Sequence, residues 1–179
     1  MRRIKLAAGA ALAIAIATAS AAIGQEGGSA LKGHDTDAPV DVAADRIEVQ
    51  DRADRAIFSG SVEVRQGNLQ LSTARLTVAY ANADGIEIQR LEASGGVVLR
   101  SPSETARSQF AIYDLNRRIV TMIGGVSLDR GESQVRGGRL VLDLDSGRAV
   151  MDGGTAGAPG TQQTGGRVTG RFTVPRRDN

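Results

Sequence analysis

Cysteine and tryptophan are absent from this sequence, and histidine occurs once, at His34. Without thiols there is no disulfide, no thiolate metal centre and no cysteine nucleophile. The lack of cysteine does not place the chain in the cytosol; it says only that the fold needs no covalent staple. Aromatic residues make up 3% of the chain, so any core must be assembled from Val, Leu, Ile and Ala. Proline is scarce at 4 residues and glycine frequent at 23, a balance that suits short strands and tight turns. Nucleophile-elbow, phosphate-loop and HExxH motifs are missing as well. The stretch Asp143-Leu144-Asp145-Ser146-Gly147 lacks the third ligand and distant Glu of a calcium loop and reads as a turn. Asp129 and Glu132 read as solvated turn carboxylates, and His34, in a polar Gly-rich stretch, as exposed and without a role. The expectation is a non-enzyme with no cofactor and no bound metal.

The formal charge is +2, but Arg2, Arg3 and Lys5 sit in the first five residues, and without them the remainder carries −1. Nucleic acid is therefore not an expected partner. The basic start is followed by an uncharged, Ala-rich run, Leu6–Ile23, with an A-x-A site at Ala19-Ser20-Ala21. This is the layout of a secretory signal peptide over residues 1–21. The same run is long enough to span a membrane as an uncleaved anchor, although it is weakly hydrophobic. Cleavage implies an extracytoplasmic product, which in a two-membrane bacterium means the periplasm. Residues 22–38 read as a flexible linker.

A glycine followed by alternating apolar residues recurs down the chain. Phe58-Ser59-Gly60-Ser61-Val62-Glu63-Val64 returns as Ala93-Ser94-Gly95-Gly96-Val97-Val98-Leu99 and as Met122-Ile123-Gly124-Gly125-Val126-Ser127-Leu128. A weaker copy is Met151-Asp152-Gly153-Gly154, and the glycines fall at intervals of 35, 29 and 29 residues. Periods of this size mark a supersecondary unit that cannot bury its apolar face alone. Each unit opens with a second alternating strand: Arg46–Val49, Arg75–Val78, Gln109–Ile112 and Arg139–Leu142. Asp-, Asn- and Gly-rich turns join the strands, which makes neighbours antiparallel. No helical apolar period appears beyond the leader, so the chain reads as all-β over 39–154. Residues 155–166 read as a mobile loop, 167–175 as a possible last strand and 176–179 as a tail.

Side chains alternate along a strand, so parity assigns an inner face. It gathers Phe58, Val62 and Val64; Leu91, Val97 and Leu99; and Met122, Val126 and Leu128. Parity extends that face to Ile47, Val49, Leu76 and Val78, and to Phe110, Ile112, Leu140 and Leu142. The recurring glycine, placed at one level of each strand, is positioned to crease the sheet there. From pattern alone this face makes either a packed core or a ligand-bearing groove.

Three stretches carry a resemblance to a known family: Asp35-Thr36-Asp37-Ala38-Pro39-Val40-Asp41-Val42-Ala43-Ala44-Asp45, Phe58 through Gly67, and Ile123-Gly124-Gly125-Val126. Behind a signal peptide, they resemble the OstA/LptA family of periplasmic lipopolysaccharide-transport proteins. The likeness runs from about Thr36 to Gly154, with a looser echo at 167–175. It implies an antiparallel β-jellyroll of repeated two-strand units, open at both ends, whose copies stack head-to-tail by strand pairing. It further implies a bridge from an inner-membrane transport assembly to an outer-membrane translocon, with lipid A acyl chains in the apolar interior. Val40 and Val42 match the family's acyl-contacting first strand, and Thr36 precedes them. Arg65, Arg90, Arg100 and Arg130, near strand ends, read as surface charge or as contacts for lipid phosphates.

Two other readings remain open on sequence: a membrane-anchored partner in the same pathway, with Leu6–Ile23 retained, and a structural β-repeat module with a dry core. Mass spectrometry of the mature protein is expected to find Ala22 at or next to its N-terminus; a chain that still begins at Met1 would assign the anchored alternative.

Overall fold

The computed structural model describes residues 34–82, 85–154 and 166–173. The leader, residues 22–33 of the linker, 155–165 and 174–179 lie outside the described residues. The described chain is one ten-stranded sheet in which every pairing is antiparallel. Its strands are β1 (Val40–Ala43), β2 (Arg46–Gln50), β3 (Arg55–Gln66), β4 (Leu69–Ala81) and β5 (Glu87–Arg100). They continue as β6 (Glu104–Asp114), β7 (Ile119–Arg130), β8 (Ser133–Asp143), β9 (Arg148–Asp152) and β10 (Thr169–Arg171). Apart from one 3-10 turn at Asp51–Ala53, the described residues contain no helix. The all-β antiparallel architecture read from the repeats is the one observed, and the sheet does not close on itself.

β3 to β8 form a meander, each strand paired with the next. The two margins are broken strands. β1 and β2 pair with opposite ends of β3, and β10 and β9 with opposite ends of β8. Register slips at one level across the whole meander. Gly60 and Ser61 of β3 face the single Ala74 of β4; Gly95 and Gly96 of β5 lie opposite Ala74 and Gln109; Gly124 and Gly125 of β7 lie opposite Gln109 and Gly138. Both residues of each pair have positive φ: +77° and +44° at Gly60 and Ser61, +86° and +88° at Gly95 and Gly96, +89° and +59° at Gly124 and Gly125. An L side chain resists that backbone, and a two-for-one bulge bends its strand.

A line of bulges at one level creases the sheet into two leaves. The first leaf holds β1, β10 and segments 62–66, 69–73, 97–100, 104–108, 126–130 and 133–137; the second holds β2, β9 and the remaining segments. The leaves face each other. Tyr113 of the second leaf donates to Gln66 of the first at 3.1 Å, and Leu142 of the second shares a small cavity with Leu69, Leu99 and Ala106 of the first.

Cross-strand partners stand side by side, so register defines inward rows. In the second leaf one row reads Ile47, Phe58, Leu76, Ala93, Ala111, Met122, Leu140, Met151. Leu76 and Met122 in it are fully buried. In the first leaf the matching row reads Val42, Val64, Leu71, Leu99, Ala106, Leu128, Val135. Each fully buried Leu or Met contributes roughly 1.5–3 kcal/mol of transfer free energy.

The bulge also corrects two expected inward residues. In β7 two residues occupy the crease and preserve parity across it, so Met122 and Val126 both point inward. In β6 a single residue, Gln109, stands at the crease and inverts it. Ala106 and Ser108 point inward before the crease, and Ala111 and Tyr113 after it. Phe110 and Ile112 therefore face outward, and Phe110 is 54% exposed. Register places Phe110 in line with Arg75 and Arg139, the outward first residues of the equivalent strands.

The crease depends on close approach as well as on backbone angle. A Cβ on Gly95 would lie 2.9 Å from the Cβ of Ala74, whereas one on Gly96 would meet nothing within 4 Å. Gly95→Ala is expected to cost about 2–4 kcal/mol and Gly96→Ala about 1–2 kcal/mol in urea unfolding. Equal losses would show that the spacing of β4 and β5 does not constrain the crease.

Candidate functional site

Three neighbouring volumes lie along the space between the leaves and share lining residues. The first, about 30 Å³, is walled by Val64, Leu71 and Leu99 of the first leaf and Leu91, Tyr113 and Val120 of the second. Leu69 and Leu99 are shared with a neck of about 10 Å³ bounded also by Ala106, Leu128 and Leu142. Leu128 and Glu104 also border a mouth of about 610 Å³, lined by Val135, Ala149 and Phe172 together with Arg130, Ser133 and Arg148. The 30 Å³ chamber has room for about two waters and the neck for about one. The mouth alone is large enough for a stretch of hydrocarbon.

The residues expected to line the groove separate by burial. Val62, Val64, Leu76, Val78, Leu91, Val97, Leu99, Met122, Val126, Leu140 and Leu142 are buried in the shared core. Val40, Val42, Phe58 and Leu128 pack against it half-buried. Ile47 and Val49 lie in register with Phe58 and Ala56, yet are 55% and 56% exposed, because β2 is a marginal strand. Phe110 and Ile112 are outside; Ile112 lines an outer-face cleft of about 600 Å³ with Ile119, Thr121 and Ile123. Thr36 is half-buried and precedes the first strand. Parity missed Ala111, Tyr113 and Gln66. Nothing in the alternation marks where β6 inverts, although Ala111 and Tyr113 do alternate with each other.

His34 corrects the expectation of an exposed, idle side chain. It is 7% exposed, with Nε2 3.3 Å from Gln66 Oε1 and Nδ1 3.0 Å from Asn68 Oδ1. Gln66 is the hub of this cluster. Its Nε2 donates to the carbonyls of Thr36 at 2.9 Å and Ala38 at 3.1 Å, while its Oε1 accepts from Tyr113. Burial pushes the Tyr113 phenol above its ordinary pKa, outweighing the lowering effect of its bond to Gln66 and of nearby Arg118.

At the mouth, Glu104 is a buried charged group. Its carboxylate accepts from Arg130 Nε at 2.6 Å, and the two are cross-strand neighbours. A buried carboxylate needs such a partner. Two further sequence expectations resolve here. Asp129 is not a turn residue: it lies in β7 and accepts from Arg107 at 2.6 Å. Arg65 and Arg90 pair with Glu63 and Glu92 on the exposed outer face.

Comparison with known proteins places this geometry. The structure superposes on the crystal structure of LptH from Pseudomonas aeruginosa, described as the LptA-homologous periplasmic component of the lipopolysaccharide transport device, with a TM-score of 0.65. That match covers 79% of this chain and 99% of the other at 19% identity, and so establishes a shared fold. An uncharacterized protein of Rhizobium meliloti (strain 1021) is 32% identical over 143 residues, covering 75% of this chain and 77% of its own. Residues 41–148, from β1 to the start of β9, match the family described as LptA/(LptD N-terminal domain) LPS transport protein. With β2 to β8 and the glycine crease inside that match, the chain belongs to the LptA/LptD N-terminal domain family of lipopolysaccharide-transport proteins.

Proposed function

We propose that this protein is a periplasmic lipid carrier without enzymatic activity, holding lipopolysaccharide acyl chains between its leaves on the way from the inner to the outer membrane. The observation that carries the reading is the row of neighbouring volumes between the leaves: two small apolar ones, then a large mouth where Leu128, Val135, Ala149 and Phe172 stand beside Glu104, Arg130 and Arg148. Exposing acyl chain to water costs about 0.8 kcal/mol per methylene, roughly 10 kcal/mol for a dozen carbons. A carrier must offer comparable apolar surface across the aqueous gap. The lining that serves is mostly Val, Leu and Ala, with Tyr113 the aromatic wall of the chamber and Phe172 that of the mouth.

In this structure the chamber and neck are collapsed, so cargo must part the leaves. The crease supplies the hinge: its residues are the backbone positions with the fewest side chains to repack. In this reading residues 39–154 are the carrying unit, preceded by a cleaved signal at 1–21, and the protein acts in the periplasm.

The same reading takes the two margins as assembly surfaces. β1–β2 and β9–β10 each have one side unpaired among the described strands. An exposed edge accepts a strand from another chain. Copies joined margin to margin would set their interleaf passages in line, linking an inner-membrane assembly to an outer-membrane translocon. The collapsed chamber favours the competing reading of a dry structural module, and one experiment separates the two.

Photo-crosslinking residues placed at Val42, Leu128 and Val135 are expected to label lipopolysaccharide in cells, whereas Glu63 and Phe110, on the outer face, are expected to stay unlabelled. Labelling confined to Glu63 and Phe110 would remove the passage from the account, and no labelling at any site would favour the structural module.

A further inference from the structure

We propose that residues 34–38 are a strap that fastens the two leaves together at the β1 end and must release before the chamber can widen. The cargo side of this inference rests on the carrier reading; the fastening itself does not. The strap begins at His34, ends where Pro39 leads into β1, and is bonded to both leaves. To the first leaf it is held by Gln66, which takes the carbonyls of Thr36 and Ala38, and by Asn68, which meets the His34 ring. To the second leaf it is held by Asp37, whose Oδ1 accepts from Arg118 Nη2 at 3.0 Å in the β6–β7 turn. Arg118 is in turn fixed by Asp145 of the β8–β9 turn at 3.1 Å. Within the strap, Asp35 Oδ1 accepts from the Asp37 amide at 3.1 Å, folding the segment into a short turn.

The bonding of Gln66 makes this a specific fastening rather than a chance contact. Both amide hydrogens go to strap carbonyls, and the oxygen meets both the Tyr113 hydroxyl and His34 Nε2. Gln66 and Tyr113 also wall the 30 Å³ chamber, together with Val40, the first residue of β1. Parting the leaves here separates Tyr113 from Gln66 and Asp37 from Arg118 at once. The buried Gln66, Tyr113 and His34 cluster penalises opening, because each of these groups loses its partner before water reaches it, whereas the solvent-exposed Asp37–Arg118 pair adds a weaker tie. The small chamber lies at the strapped end, and the large mouth lies at the opposite margin.

The chain has no native cysteine, which permits a direct test in the full mature protein. An Asp37→Cys/Arg118→Cys variant is joined by a reducible bis-maleimide, and binding of N-phenyl-1-naphthylamine and of purified lipopolysaccharide is compared before and after reduction of the linker. The expected result is binding at least about tenfold weaker in the joined form, restored by reduction of the same sample, since affinity scales with the open fraction. Equal binding by the two forms would overturn the strap as a barrier. Deuterium exchange tests the fastening without cargo: Arg118→Ala is expected to speed exchange at residues 111–115, and Arg118→Lys to restore most of the protection. Unchanged exchange in Arg118→Ala would overturn the fastening. Faster exchange with no probe bound by any form would keep the fastening, reject the barrier role and remove the carrier reading.

Discussion

The rest of the structure depends on a steric constraint: left-handed backbone at one level of a sheet. Three strands carry a pair of positive-φ residues, and the strands between them carry the single residue opposite. A long antiparallel meander buries one face only if something covers it. Here the cover is the sheet's own other half, brought round by the bulges. Close packing at the fold line follows, because Gly95 and Gly124 admit Ala74 and Gln109 of the adjacent strands at distances a Cβ would violate or crowd. The first unit reaches the same geometry with Gly60 and Ser61, and Ser61 holds φ +44° at some cost in strain.

This architecture gives an interior that one motion can open. Its two walls are continuous through the crease, so they can part without breaking strand pairing within either leaf. What resists parting is the packing of the inward rows, together with polar contacts on the side away from the crease: Gln66 with Tyr113, and Asp37 with Arg118. Covalent staples are absent, and aromatic residues are few. A wall of Val, Leu, Ala and Met changes shape at modest cost, which suits flexible hydrocarbon. The broken margins extend the same logic. β1–β2 and β9–β10 each interrupt at the level of the crease, so the fold line runs out through both edges of the sheet. The fourth glycine pair, Gly153-Gly154, stands at that level too, and Gly153 meets Gly166 there before β10 resumes the margin.

Much of this was legible in the residues. Glycine pairs at regular intervals, period-two alternation and Asp- and Asn-rich turns determine the strands, their antiparallel order and the level of the crease, because each is a local backbone requirement. Alternation also determined the inward faces of β3, β5 and β7, where two residues at the crease leave parity intact. Tertiary structure decided the rest. Whether β6 inverts at Gln109 depends on how it meets the bulges of β5 and β7, so Phe110 and Ala111 exchange faces with no local sign. Whether His34 is idle or buried depends on Gln66, Asn68 and Tyr113, which only the folding of one leaf onto the other brings together. Whether Ile47 and Val49 are covered depends on what lies across from a marginal strand. Local pattern encodes backbone geometry; burial and partnership are settled by segments distant in the chain, and a single sequence carries no direct record of those.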